Sequence, residues 1–144
     1  MYRVTRRYRF SASHRLHSNI LSDDENRKIY GKCNHPYGHG HDYEIDVSVL
    51  GPLDATTGWA LDRGALDALV REQVTEPFEH RNLNLDVNSF CDVVPTSENL
   101  AVEVCRRLKR GWRSAFPGPW PRLEMVRIGE TPRNIFVIRA DEIE

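Results

Sequence analysis

The chain has 144 residues, a length that suits one folded domain, so we expect residues 1–144 to form a single domain. A formal net charge of -1 and the lack of a long apolar run argue against nucleic-acid or membrane partners. The three cysteines have unrelated spacings and do not read as a disulfide framework, which favours a reducing cytoplasm.

Two strands are predicted in the first third of the chain. Aromatic and β-branched residues fall on alternate positions between Tyr2 and Phe10. From Tyr43 to Val49, apolar residues alternate cleanly with polar ones, as expected for an amphipathic strand. Pro52 is expected to stop this second strand.

A metal site is indicated by the segment Cys33-Asn-His-Pro-Tyr-Gly-His-Gly-His41, directly before the second strand. Residues i and i+2 of a strand share a face, so His39 and His41 can face one ion, with Gly40 leaving room for close approach. His14 ends the first strand and supplies a third imidazole. Three histidines with an open fourth position are typical of catalytic zinc, which leaves Cys33 free as a base or nucleophile.

Two helices follow. Leu66, Leu69 and Val70 have helical spacing toward Val74, and Pro77 is expected to stop this helix. A second helix begins near Pro95-Thr96-Ser97-Glu98, where Thr96 or Ser97 can cap it, and Gly111 and Pro117 bound its end. Its buried stripe is predicted as Leu100, Ala101, Val104, Cys105 and Leu108.

Two further strands, 123–129 and 134–139, are joined by a hairpin turn from Glu130 to Asn134. The predicted order is therefore β-β-α-α-β-β, an α+β fold. Its antiparallel four-stranded sheet carries two helices on one face. Such a sheet has two open edges, and pairing of those edges between subunits is a physical expectation.

Three other candidate groups each allow a functional interpretation and an ordinary structural one. Glu79 next to His80 can orient an imidazole, but it equally suits an ordinary helix end. Glu130 at a strand end can accept two parallel N–H bonds, or simply be a turn residue. The cluster Arg27, Lys28 and Lys32 suits a solvated loop, or a phosphate site beside a metal. No pattern assigns a functional role to His17, His35 or Cys91, and both histidines are expected at the surface. Cys105 is expected to be a core position of the second helix.

Together these motifs resemble the 6-pyruvoyl-tetrahydropterin synthase family, which includes the 6-carboxytetrahydropterin synthases of deazaguanine (queuosine) biosynthesis. The resemblance runs in order along almost the whole chain. The matching stretches are Phe10-Ser-Ala-Ser-His14, Gly31-Lys-Cys33-Asn, Gly38-His-Gly-His41, Glu79-His80-Arg-Asn-Leu83, Pro95-Thr-Ser-Glu-Asn99, and Glu130-Thr131 followed by Asn134.

The resemblance implies the tunnelling fold (T-fold), in which three subunits form one barrel and two trimers stack into a homohexamer. It implies Zn2+ on the three histidines and proton abstraction by Cys33, assisted by His80 and Glu79 of an adjacent subunit. It also implies that Glu130 anchors a pterin, in a pocket lined by Thr96, Ser97 and Glu98. The implied substrate is 7,8-dihydroneopterin triphosphate.

Three readings of the activity stay open. The five residues between Cys33 and His39 resemble the pyruvoyl-forming branch, whereas three are typical of the carboxy-forming branch, which also releases acetaldehyde. The third reading is a zinc- and pterin-binding protein without turnover. Glu79 supports that reading, because the family usually has the shorter aspartate there. His35 also departs from the pattern, standing where the family often has asparagine.

Overall fold

The computed structural model describes residues 1–144, and five strands form one mixed sheet in the order β3-β1-β2-β4-β5. Neighbouring long strands are antiparallel, as predicted, but the four-stranded prediction omitted a short fifth strand that lies parallel to β1. The strands are β1 (Tyr2–His14), β2 (His39–Gly51), β3 (Arg81–Asn82), β4 (Arg122–Thr131) and β5 (Asn134–Arg139).

Five α-helical segments accompany the sheet, which makes the fold α+β. The first was not predicted, because its only buried residue is Asn26 and it has no apolar stripe. A capping box between Ser22 and Glu25 fixes where it begins. The helices are α1 (Asp23–Tyr30), α2 (Arg63–Val70), α3 (Glu76–Phe78), α4 (Leu83–Asp86) and α5 (Ser97–Ala115).

Pro77 does not stop the predicted first helix. A π-helical turn, Arg71–Thr75, follows α2 and leads directly into α3, which contains the proline. Proline has no N–H to donate back to the preceding turn. The Gln73 carbonyl there accepts a hydrogen bond from Arg107 Nη1 at 3.4 Å. A side chain distant in sequence thus helps this turn to tolerate the proline.

Helix α5 begins as expected, with the Thr96 side chain accepting a hydrogen bond from the Asn99 N–H. It passes through Gly111, however, and ends at Ala115. A Cβ at Gly111 would lie 2.6 Å from Leu69 Cδ1, so this glycine permits close packing against α2. The predicted stripe of five residues is buried throughout.

The core lies between α5, the α2–α3 segment and one face of the sheet, where 24 buried apolar residues form a single cluster. The opposite face is polar, and Arg7 and Arg127 both pair with Asp46 there. Asp46 is nevertheless only 7 % exposed. None of the helices has both the length and the apolar character needed to cross a membrane.

Candidate metal and pterin site

The antiparallel register of β1 and β2 assembles the three histidines. It sets His14 directly opposite His39, and Ala12 opposite His41. Because His39 and His41 are two residues apart, both imidazoles face the helices, as does His14. One potential ligand atom from each histidine lies within 4.8 Å of the others, so this cluster could hold a metal ion.

The glycine that permits this approach is Gly38, not Gly40 as the sequence suggested. Gly38 has φ +73°, and a Cβ there would lie 2.8 Å from the His14 carbonyl oxygen. A Cβ at Gly40 would meet nothing closer than the Ala12 carbonyl at 3.8 Å. A side chain at Gly38 would therefore push the start of β2 away from His14. A side chain at Gly40 would not have this effect.

The imidazoles are suited to metal binding in their neutral form. Burial lowers the pKa of His14, and burial followed by the charge of His41 lowers the pKa of His39. His14 Nε2 lies 3.2 Å from His39 Nε2, and His41 Nε2 is buried without a hydrogen-bond partner. A bare, buried ring nitrogen costs free energy unless an ion or a donor satisfies it, so the donor set fits a metal.

Cys33 lies in a short 3₁₀ turn, Gly31–Asn34, and its thiol is partly exposed and free. Its carbonyl accepts a hydrogen bond from the Leu16 N–H at 2.8 Å, which ties the turn to the chain just after His14. Asn34 is buried and donates to the Leu16 carbonyl at 2.7 Å. These bonds hold the cysteine turn against the end of the strand that carries a candidate metal ligand.

A carboxylate completes the site at the end of β4. Glu130 Oε1 lies 3.6 Å from His41 Nε2, and Glu130 Oε2 accepts a short hydrogen bond from the Ser97 hydroxyl. Thr96 caps α5 beside this contact, which places the start of that helix next to the histidines. Glu98 is exposed on the first turn of α5.

Glu79 and His80 lie apart from the three clustered histidines, between α3 and β3. Glu79 Oε1 accepts the Ser11 N–H at 3.1 Å and lies 3.1 Å from His80 Nε2. The His80 N–H donates to the Ser11 carbonyl at 2.7 Å, and the residue has φ +57°. The His80 side chain is 82 % exposed. It projects into a shallow cleft along β1 and β2, which His41 also borders.

The remaining candidates lie outside this cluster. His35 is exposed as expected, whereas His17 is half-buried and contacts Asn34. The basic residues Arg27, Lys28 and Lys32 are exposed, and Arg27 pairs with Asp24. Cys91 is exposed and Cys105 lies in the core.

Two groups at the site were missed by sequence reasoning. The Pro95 carbonyl lies 2.7 Å from His14 Nδ1, and the Tyr43 hydroxyl lies 3.2 Å from the same atom. The signal for Tyr43 was present, since it continues the two-residue spacing of His39 and His41. No sequence signal marks a backbone carbonyl as a partner.

Comparison with known proteins gives a consistent result. A family model described as 6-pyruvoyl tetrahydropterin synthase matches residues 3–141. A Poecilia reticulata protein named 6-pyruvoyl tetrahydrobiopterin synthase is 44% identical, with 96% of this chain and 90% of the relative covered. The structure of Caenorhabditis elegans 6-pyruvoyl tetrahydropterin synthase superposes with a TM-score of 0.86 at 40% identity, covering 96% and 94% of the two chains.

A more distant relative carries a different name. A Halobacterium salinarum protein named as a probable 6-carboxy-5,6,7,8-tetrahydropterin synthase is 36% identical over 139 residues. That alignment covers 86% of this chain and 77% of the relative.

Proposed function

Because the chain belongs to the 6-pyruvoyl tetrahydropterin synthase family, we propose that it converts 7,8-dihydroneopterin triphosphate to 6-pyruvoyltetrahydropterin with elimination of triphosphate. It would thus be a carbon–oxygen lyase acting on a phosphate ester. The observation that carries this proposal is the convergence of three imidazoles beside Glu130 and the Cys33 turn. A metal, a base and a carboxylate anchor are the groups that this elimination requires.

Zinc is the proposed ion, held by His14, His39 and His41. Three neutral imidazoles without a thiolate ligand suit Zn2+, and a three-histidine set leaves a position open for substrate. When bound, the ion would supply Lewis acidity at the side-chain hydroxyls of the substrate, which lowers the cost of removing a neighbouring C–H proton. The unpartnered, buried His41 Nε2 supports this assignment.

Cys33 is the proposed base. Its thiolate accepts the C–H proton from the substrate side chain, triphosphate leaves, and further proton shifts rearrange the side chain. The oxidation and the reduction both occur within the substrate, so no redox cofactor is required. The hydrogen bonds of Cys33 and Asn34 to Leu16 support this role, because they fix the position of the thiol-bearing turn.

Glu130 is the proposed pterin anchor. Its ionised carboxylate can accept two parallel N–H bonds from the pyrimidine edge of the ring, a charge-assisted and bidentate contact. The Ser97 hydroxyl holds one of its oxygens. Thr96 and Ser97 would line the pocket from the start of α5, and Glu98 would reach it from the exposed side of the first turn.

A homohexamer of tunnelling-fold subunits is the proposed assembly, with Glu79 and His80 acting on a neighbouring subunit. Two observations support it. The His80 imidazole is exposed, and within its own chain it pairs with Glu79. The edge strand β5 also exposes Ile135 and Val137, at 47% and 57%.

The single connected core supports the proposal of one domain over residues 1–144. The three free cysteines support a location in the cytoplasm.

Mixing of two inactive variants tests the shared site. Cys33→Ala and His80→Ala chains, unfolded and refolded together, should recover activity, because some sites then combine an intact Cys33 with an intact His80 from a neighbour. Cys33→Ala mixed with His39→Ala should recover none, because both residues belong to the same half of each site. Equal failure of the two mixtures, or an active monomer in sedimentation, would exclude the shared arrangement.

The carboxy-forming reaction is the second candidate function. It is favoured by the Halobacterium salinarum relative, and it requires the same metal and the same thiol. Two observations favour the pyruvoyl product. They are the five-residue spacing between Cys33 and His39 and the name of the 44%-identical relative. The spacing matters because the loop from Cys33 to His39 sets where the Cys33 thiol lies relative to each hydrogen of the substrate side chain.

Product analysis decides between these reactions. Purified protein incubated with 7,8-dihydroneopterin triphosphate should give 6-pyruvoyltetrahydropterin by mass spectrometry and no acetaldehyde. Stoichiometric acetaldehyde with a 6-carboxy product would show that the protein catalyses the carboxy-forming reaction instead. The assignments of the histidines, Cys33 and Glu130 would survive that outcome, because both reactions use them.

A further inference from the structure

Tyr43 is a buried tyrosine whose hydroxyl reaches the candidate metal site. The residue has no exposed surface, and its only hydrogen-bond contact from the hydroxyl is to His14 Nδ1 at 3.2 Å. It lies on β2 on the same face as His39 and His41. A core position alone would be filled equally well by phenylalanine, so the hydroxyl needs its own explanation.

The contacts of His14 fix its tautomer. The Pro95 carbonyl, 2.7 Å from Nδ1, can only accept a hydrogen bond, so Nδ1 must carry the imidazole proton in the neutral ring. The Tyr43 oxygen then lies beside the same N–H as a second acceptor. With the proton held on Nδ1, the lone pair belongs to Nε2, the atom that faces His39 Nε2 at 3.2 Å.

The tyrosine ring also restricts how the imidazoles can rotate. It stands edge-on to His14 and His41, with centroid distances of 6.1 Å and 5.6 Å. It is itself held by stacking on Phe10 at 5.1 Å. Because the core fixes the Tyr43 ring on one side, the ring limits the rotation of both the His14 and the His41 imidazoles.

We propose that Tyr43 is a positioning residue that, together with the Pro95 carbonyl, holds His14 in one tautomer and one orientation for metal binding. Outer partners of a ligating histidine typically change metal affinity by about 10–100-fold when they are removed. Here the carbonyl remains after loss of the hydroxyl, so the lower end of that range applies. This inference rests on the proposed metal site.

Tyr43→Phe tests the proposal, with Tyr8→Phe as a matched control. Tyr8 is a partly buried tyrosine on β1 whose hydroxyl donates to Asp67 at 2.6 Å, away from the histidines. Zinc affinity, measured by competition with a chromophoric chelator, should fall about tenfold in Tyr43→Phe and stay unchanged in Tyr8→Phe. Equal zinc affinity of Tyr43→Phe and the unmodified protein would overturn the role.

A second measurement reads the tautomer without depending on the variant's folding. Nitrogen NMR of the metal-free, unmodified protein should show His14 with its proton on Nδ1, whereas a proton on Nε2 would overturn the proposal. In metal-free Tyr43→Phe, the proton should stay on Nδ1, because the Pro95 carbonyl remains, while the His14 signals should show exchange between ring orientations. Failure of the proposed function looks different, because the unmodified protein itself would then bind no zinc or turn over no substrate.

Discussion

Replacement of Cys33 by alanine is expected to remove turnover of 7,8-dihydroneopterin triphosphate while metal content and pterin binding stay normal. A positioned base contributes about 10²–10⁴-fold to a proton transfer, and the loss should fall in or beyond that range. The fold should persist, because the bond from Leu16 is made to the Cys33 backbone and not to its thiol. Steady-state kinetics and metal analysis on the same preparation measure both quantities.

Cys91→Ala is the matched control for this experiment. Cys91 is also a free cysteine, but it is exposed and lies outside the histidine cluster, so its loss should leave kcat/KM unchanged. If Cys33→Ala instead loses its metal, the site is a closed structural centre with three histidines and one cysteine. That result would remove the base from the proposed mechanism.

Replacement of Glu130 by glutamine should weaken pterin binding strongly while zinc content stays normal. The variant keeps the size of the side chain but loses the charge and one acceptor, so one ring N–H donor is left buried without a partner. Truncation of one partner in such a charged, buried contact costs about 2–5 kcal/mol. This corresponds to about 30- to 5,000-fold in affinity. Titration with a pterin that lacks the triphosphate isolates this contact from other parts of the substrate.

Glu124→Gln provides the comparison on the same strand. Glu124 pairs with Arg3 near the other end of β4, so its neutralisation changes the net charge equally without touching the site. Unchanged pterin affinity in Glu130→Gln would move the anchor elsewhere, with Glu98 as the next carboxylate to replace. Equal weakening in both variants would point to a general effect of charge.

The cluster of histidines was largely readable from the sequence because strand geometry is local. A two-residue spacing places His39 and His41 on one face whatever the rest of the fold does. Helix α5 was predictable for the same reason, since its cap and its apolar stripe lie within one segment. What sequence patterns could not supply was the register that sets His14 opposite His39, because 24 residues separate the two.

Three of the features that were missed or wrongly predicted depend on contacts between distant segments. Strand β3 has only two residues and exists through its pairing with Ala12 and Ser13. The continuation of the helix through Pro77 involves Arg107, and the requirement at Gly38 comes from the His14 carbonyl. Each of these features depends on a residue distant in the sequence, which a local sequence pattern cannot identify.

The proposed site of three histidines and Cys33 eliminates triphosphate in a metal-dependent reaction, and release of triphosphate tests this claim most directly. Phosphorus NMR can follow the release of inorganic triphosphate from 7,8-dihydroneopterin triphosphate, which both product branches require. The chelator-treated protein should release none, and the same protein reconstituted with zinc should release one triphosphate for each substrate consumed. Pterin binding without release by the zinc-loaded protein would contradict the claim and identify a non-catalytic binding protein, and equal release without metal would contradict the role of the histidines.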